Sequence, residues 1–161
     1  MSLIRHAKSS WDFEGLDDLD RPLNPRGRED AAKMGRILSE SGFAPQRLLC
    51  SPALRAIRTA LVMAEAVGFP SHQIEMTQKL YHNRIDGMLA LLRANADEVR
   101  WVACVGHNPE LTALVHRLGA KEVEDMPTCA VVELHFAIDR WKELGQGDPV
   151  RVRFKAPKNH P

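Results

Sequence analysis

Leu3-Ile4-Arg5-His6-Ala7-Lys8-Ser9-Ser10-Trp11 is the stretch on which the reading of this chain turns. Two apolar residues lead into an Arg-His pair, after which the chain becomes small and polar. This is the pattern of a short buried strand whose C-terminal end delivers side chains to a surface site. In open α/β sheets, ligands bind outside the carboxyl ends of the strands. Arg5 offers a planar, permanently charged fork for phosphate, and His6 a titratable imidazole. An isolated Arg-His pair is most simply solvated surface charge, so a site here requires partners from other strand ends.

Two other strand ends supply such partners. Arg47-Leu48-Leu49-Cys50 reads as a buried strand followed at once by Ser51-Pro52, and Trp101-Val102-Ala103-Cys104-Val105 as another, followed by Gly106-His107-Asn108-Pro109. A polar residue before Pro is a helix-start signature, so each strand is expected to feed a helix N-terminus at the same sheet edge. Such a terminus carries free N–H groups and partial positive charge, which suit a phosphate. Arg55 lies one helical turn after Ser51 and reaches back over that edge. By itself Arg55 is an exposed helix arginine, and His107 by itself is a packed or capping histidine. Two imidazoles and two guanidiniums on one edge are harder to explain as surface.

The remaining elements follow from breakers and periodicity. Residues 12–24 form an Asp-rich loop. Asn24-Pro25 starts a helix to about Ser41, ended by Gly42, and the helix after Ser51-Pro52 runs to Val67, closed by Gly68. Gln73 to Met76 reads as a strand, Tyr81 to Ile85 as loop, and a helix follows to about Ala96. A helix runs from Pro109 to Leu118. Ala130 to Ala137 and Val150 to Phe154 are strands joined without a convincing helix, so at least one of them is expected to run antiparallel. The fold class is therefore α/β, a three-layer α/β/α sandwich with a mostly parallel, mixed central sheet.

Global properties bound the function. The 161 residues read as one domain, 1–161, with 156–161 as a frayed tail. Lys+Arg 22 against Asp+Glu 21 leaves a formal charge of +1, so neither nucleic acid nor a membrane surface is indicated as a partner. No apolar run approaches a membrane span, and no secretory apolar core opens the chain. Cys50, Cys104 and Cys129 match no zinc spacing; buried reduced thiols and a cytoplasmic location are the expectation. Asp17, Asp18 and Asp20 lie beside Arg21, Arg26 and Arg28 and read as salt-bridging and capping groups rather than a metal cluster. His72, His82, His116, His135 and His160 show no ligand spacing and read as bystanders.

Arg5-His6 after a strand, Ser51-x-x-x-Arg55-x-x-x-Thr59 and Gly106-His107 together resemble the histidine phosphatase superfamily, with its phosphoglycerate-mutase-like fold. Arg5-His6-Ala7-Lys8-Ser9-Ser10-Trp11, Asp20-Arg21-Pro22-Leu23-x-x-Arg26-Gly27 and Gly106-His107-Asn108-Pro109 resemble its small SixA-type phosphohistidine phosphatase branch. The resemblance implies His6 as nucleophile, with Arg5, Arg55 and His107 around the phosphoryl oxygens. It implies no metal and no cofactor, and a phosphorylated substrate, phosphohistidine on a protein among the choices. The chain departs from the mutases and many acid phosphatases of the superfamily in one respect. They resemble each other in placing a carboxylic general acid after the third strand, where this chain has Leu80-Tyr81-His82-Asn83. An alkoxide leaving group needs that proton, whereas an imidazole already has a ring nitrogen to carry one, so the departure favours N–P cleavage. Asp12 is the other candidate acid, with loop ordering as its alternative role, and Lys8, Ser9 and Ser10 are candidate pocket-lining residues. The rival readings are a small-molecule phosphomonoesterase and a non-catalytic phosphate-binding module of the same fold.

Overall fold

Side chains that alternate across short apolar strands build a sheet with a separate core on each face. The structure, a computed structural model, describes residues 1–81 and 84–159. The strands are β1 (Ser2–Arg5), β2 (Arg47–Cys50), β3 (Ile74–Met76), β4 (Val102–Gly106), β5 (Val131–His135) and β6 (Arg151–Lys155). They form one 6-stranded sheet in the order β3-β2-β4-β1-β5-β6. The first four in that order are parallel. Both β5 and β6 run antiparallel to their neighbours.

The helices are α1 (Pro25–Glu40), α2 (Leu54–Val67), α3 (Ile85–Arg93) and α4 (Glu110–Arg117). Leu3, Leu49, Cys104 and Val132 face α3 and α4, whereas Ile4, Leu48, Cys50, Val105 and Val131 face α1 and α2. Neighbouring strand residues thus enter opposite cores, as the pleat requires. Each large side chain buried this way contributes about 1.5–3 kcal/mol, against about 1 kcal/mol net for a hydrogen bond, so the two clusters dominate the stabilisation. No described helix is long and apolar enough to cross a membrane.

Local chemistry sets the helix ends. The Asn24 side chain accepts from the Gly27 amide at 2.7 Å, and Pro25 opens α1. Ala31, Met34 and Leu38 form its buried stripe. Gly68 ends α2 in the left-handed region, at φ 73°. Two expected starts differ from the structure. Ser51-Pro52 does not cap, and α2 begins at Leu54; α4 begins at Glu110, one residue later than expected, with Asn108 Oδ1 accepting from the Thr112 amide of its first turn at 3.3 Å. Ser51 Oγ is 2.7 Å from His107 instead, and the Asn108 amide donates to Asp125 and to the Met126 carbonyl. A tertiary partner has taken the Ser51 hydroxyl from the helix end, whereas Asn108 serves both its helix and the segment before β5. The C-terminal segment also departs from a frayed tail: Ala156 is 2% exposed, and Lys33 Nζ donates to the Pro157 carbonyl at 3.0 Å, which fastens it to α1. Residues 160 and 161 lie outside the described residues.

One contact ties α1 to the loop after β1. A Cβ on Gly27 would stand 2.0 Å from the Lys8 carbonyl oxygen, and the Asn24 amide donates to that same oxygen at 3.0 Å. Backbone meets backbone, so no side chain can move aside. Gly27→Ala is expected to lower unfolding free energy by about 1–3 kcal/mol or more, as overpacking does. Urea denaturation measures it, and an unchanged midpoint would contradict the close approach.

Candidate active site

His6 is the first residue beyond β1. Its amide donates to the Gly106 carbonyl at 3.1 Å, and its carbonyl accepts from the Cys129 amide at 3.1 Å. These bonds pin the residue between β4 and the approach to β5. The imidazole Nδ1 is 2.8 Å from the Ala7 carbonyl oxygen. A carbonyl can only accept, so Nδ1 carries the proton and Nε2 keeps its lone pair. Burial lowers the His6 pKa to about 4; the Ala7 carbonyl opposes this, and Arg55, Arg5 and Arg21 reinforce it. The ring is neutral through the physiological range.

Arg55 stands in the first turn of α2 and is 6% exposed. Its Nε donates toward His6 Nε2 at 3.4 Å. Its two terminal nitrogens donate to Asp18, at 2.5 Å to the carbonyl and 2.8 Å to Oδ2. Arg21 donates to Asp18 Oδ1 at 2.9 Å, and the Tyr81 hydroxyl donates to Oδ2 at 2.8 Å. Burial pulls the Asp18 carboxyl upward. The hydrogen bonds from Tyr81, Arg55 and Arg21 outweigh it and hold the group well below the usual carboxylate range. Thr59 joins two parts of the site: its Oγ1 accepts from the Ala7 amide at 2.9 Å and donates to the Arg55 carbonyl at 2.7 Å.

His107 follows β4 directly, with Nε2 held 2.7 Å from Ser51 Oγ and Nδ1 3.4 Å from an Arg55 nitrogen. Its ring lies 4.9 Å from that of His6. Arg5 donates to the Met126 carbonyl at 2.6 Å, while its buried Nε has no hydrogen-bond partner among the described residues. A buried guanidinium N–H left unmatched is costly. Arg5, His6, Arg55 and His107 line one cavity of about 440 Å³ at the carboxyl edge of the sheet, with Lys8 and Ser9 also in its wall. The positive groups and the unprotonated imidazole nitrogen share one cavity, an arrangement that suits a tetrahedral oxyanion.

Residues 1–82 match the family model of the histidine phosphatase superfamily (branch 1). The chain belongs to this superfamily. It is 32% identical over 149 residues to an uncharacterized chloroplastic protein of Arabidopsis thaliana, covering 88% of this chain and 68% of that one. Among solved structures, the protein histidine phosphatase SixA complexed with tungstate aligns over 100% of both chains, with TM-score 0.80 and 25% identity. A SixA of Agrobacterium tumefaciens aligns over 97% of this chain and 96% of its own, with TM-score 0.77 and 28% identity. These likenesses place this histidine phosphatase in the SixA-type branch, and its six-stranded mixed sheet matches their phosphoglycerate-mutase-like fold.

Asp12 does not line the cavity of this histidine phosphatase. It is exposed, and its Oδ2 accepts from the Ser10 hydroxyl at 2.7 Å, an arrangement that orders the loop. Ser10 is likewise outside the wall; its carbonyl accepts from Arg21 Nε at 3.1 Å. The Asp cluster serves salt bridges through Asp18. His116 lies beside the Val123 carbonyl and His135 beside Glu133, both away from the cavity; His72 is exposed in the short 3-10 helix Ser71–Gln73. His82 and His160 lie outside the described residues. Asp18 and Arg21, read from sequence as salt-bridging groups, also line the cavity, as do Tyr81 and Glu110, to which the sequence assigned no role there. The Glu110 signal is available in retrospect: three residues after His107, it falls on the first turn of the following helix. Tyr81 and Asp18 meet only through tertiary structure.

The depressed basicity of His6 has a measurable consequence. Its imidazole 15N resonances should titrate with a midpoint at about 4 rather than 6.5. Between those values the unfolded chain binds a proton that the folded chain does not, so stability falls as pH drops through that window. His6→Asn should flatten this part of the stability profile. A midpoint near the ordinary histidine value would overturn the neutral-nucleophile geometry.

Proposed function

We propose that this histidine phosphatase hydrolyses phosphohistidine, carried on a protein, through a covalent phosphoryl intermediate on His6. The observation that carries the reading is the fixed tautomer: Nδ1 bound to the Ala7 carbonyl, Nε2 unprotonated among guanidiniums and met only by a long 3.4 Å approach from Arg55 Nε. In the first step the Nε2 lone pair attacks phosphorus opposite the leaving nitrogen. An Nε2–P bond forms and the substrate P–N bond breaks. The leaving ring keeps the electron pair and departs as neutral imidazole, its other nitrogen already protonated. In the second step water attacks phosphorus, the P–Nε2 bond breaks, Nε2 recovers its lone pair, and both protons of the water leave with orthophosphate as H2PO4⁻.

Arg5, Arg55 and His107 are the groups that surround the phosphoryl oxygens in this reading. Phosphoryl transfer depends mainly on positioning and charge stabilisation, and arginines supply permanent charge, so the reaction proceeds without a metal. A SixA structure that holds tungstate supports oxyanion binding on this fold. Substrate choice turns on proton donors. Asp18 is kept ionised and has no proton to give. Asp12 stands outside the cavity wall. Both facts favour a leaving group that needs no acid.

One observation favours the rival phosphomonoesterase reading. Glu110, at the start of α4, lines the cavity with a half-buried carboxyl that makes no hydrogen bond among the described residues. It is the group that would protonate an alkoxide.

Two experiments test the proposal. Rapid quench of the wild type with 32P-labelled substrate, in EDTA, should leave acid-labile, base-stable label on the protein, and His6→Ala should carry none and turn over no substrate. Near-normal turnover by His6→Ala, or activity that EDTA abolishes and Mg²⁺ restores, would defeat the mechanism. Absence of label and of turnover in the wild type would leave a binding module. In the second experiment, phosphohistidine should exceed an alkyl phosphomonoester in kcat/KM by at least about tenfold, or ~1.4 kcal/mol in transition-state free energy. Asp12→Asn should leave both rates within about twofold. Equal kcat/KM for the two substrates, with Glu110→Gln slowing only the ester, would establish the phosphomonoesterase instead.

A further inference from the structure

The Asp-rich loop has a feature that the chemistry above does not use. Large exposed apolar side chains are few among the described residues, and three of them fall within six positions: Trp11, Phe13 and Leu16, at 79%, 59% and 42% exposed. The loop leaves the cavity wall at Trp11 and returns to it at Asp18. Phe13 and Leu16 are exposed and outside the wall, on the loop that joins these two wall residues. Exposed apolar groups that cluster mark an interaction site more often than isolated ones do.

The same stretch is strongly acidic. Asp12, Glu14, Asp17, Asp18 and Asp20 occur between residues 11 and 20, with no basic residue among them. Asp12 is bound to Ser10 and Asp18 to Arg21, Arg55 and Tyr81. Glu14, Asp17 and Asp20 are exposed, and their carboxylates make no hydrogen bond or ion pair among the described residues. A basic cavity is thus bordered on one side by an apolar and acidic collar.

The collar is held in place before any partner arrives. The Arg21 guanidinium lies over the Trp11 ring, 3.2 Å from its centroid. Arg21 itself is fixed by three acceptors: the Ser10 carbonyl at 3.1 Å, Asp18 at 2.9 Å and Ser9 Oγ at 2.7 Å. An aromatic anchor whose orientation is already set loses less entropy on binding, a property of interface hot spots.

We propose that this collar docks a folded protein whose phosphorylated histidine projects from a surface with apolar and basic side chains around it. The inference rests on the phosphohistidine reading above and deepens it from chemistry to carrier. A small phosphorylated molecule fills the cavity without reaching Phe13 or Leu16. A protein surface centred on the same phosphoryl group covers both, and its basic residues meet Glu14, Asp17 and Asp20.

The test compares two probes: free phosphohistidine, and histone phosphorylated on histidine with phosphoramidate as a basic carrier. Wild type should show higher kcat/KM on the phosphohistone, and added salt should reduce that rate but not the rate on free phosphohistidine. The double variant Phe13→Ser, Leu16→Ser should lose about tenfold or more on phosphohistone and stay within about twofold on free phosphohistidine. Glu14→Lys should weaken the salt effect and the phosphohistone rate together. All three positions are exposed, so folding is expected to survive, and the rate on the free substrate reports it. Equal losses on both probes, or no loss on phosphohistone, would overturn the docking role while leaving the phosphohistidine reaction standing. A wild type that hydrolyses free phosphohistidine and gains nothing from the carrier would overturn it too. A wild type inert on both probes would remove the proposed reaction and the collar with it.

Discussion

A neutral imidazole has to survive among guanidiniums, and the rest of the site depends on that constraint. Arginines are needed to bind a dianion, yet two like charges about 4 Å apart repel by about 4 kcal/mol at an effective dielectric of 20. A protonated His6 would face that repulsion from Arg55, Arg5 and Arg21 while also losing solvent. The neutral form escapes both penalties, and the Ala7 carbonyl decides which nitrogen stays bare. Asp18 serves the same end from the other side. It holds Arg55 and Arg21 with ionic hydrogen bonds, which fixes the Arg55 fork in the orientation that brings Nε to His6.

The sheet supplies the second requirement, which is convergence. β2, β4 and β1 are adjacent and parallel, so their carboxyl ends open side by side. Backbone bonds continue past the strand ends, from the His6 amide to Gly106 and from the Ser51 amide to Val105. The functional side chains therefore stand on positions nearly as fixed as the strands. Thr59 carries that fixity into α2, since one hydroxyl bonds both the Ala7 amide and the Arg55 carbonyl. A site with this construction gains its precision from backbone rather than from the packing of flexible side chains.

Legibility in the sequence follows the same division. Arg5, His6, Arg55 and His107 can be read from the chain because each lies within one helical turn of a strand end, and strand ends are marked by apolar runs and breakers. The parallel sheet and its antiparallel edge are legible for the same reason, through the alternation of helices and its failure after Ala130. The helix start at Ser51 misleads because its hydroxyl meets His107, whereas Asn108 is displaced by one residue and serves two ends, its amide donating to Asp125 and Met126 and its oxygen accepting from Thr112 in α4. Asp12 misleads because proximity in sequence to His6 does not carry it into the cavity; its carboxylate turns back onto Ser10. Asp18 and Tyr81 are 63 positions apart and share one hydrogen bond, which no local pattern announces.

The three cysteines lead to a different property of the molecule. Cys50, Cys104 and Cys129 are all free and buried. Burial pushes the Cys50 and Cys104 thiols up to about 12, and raises Cys129 as well. A thiol reacts with peroxide or an alkylating agent as its thiolate, and these three hold almost none. Cys50 sits immediately before Ser51, so one of these inert thiols lies close behind the cavity. With an imidazole nitrogen as the proposed nucleophile and the nearby sulfur kept protonated, the proposed reaction would tolerate an oxidising burst that would silence a phosphatase built on a reactive cysteine.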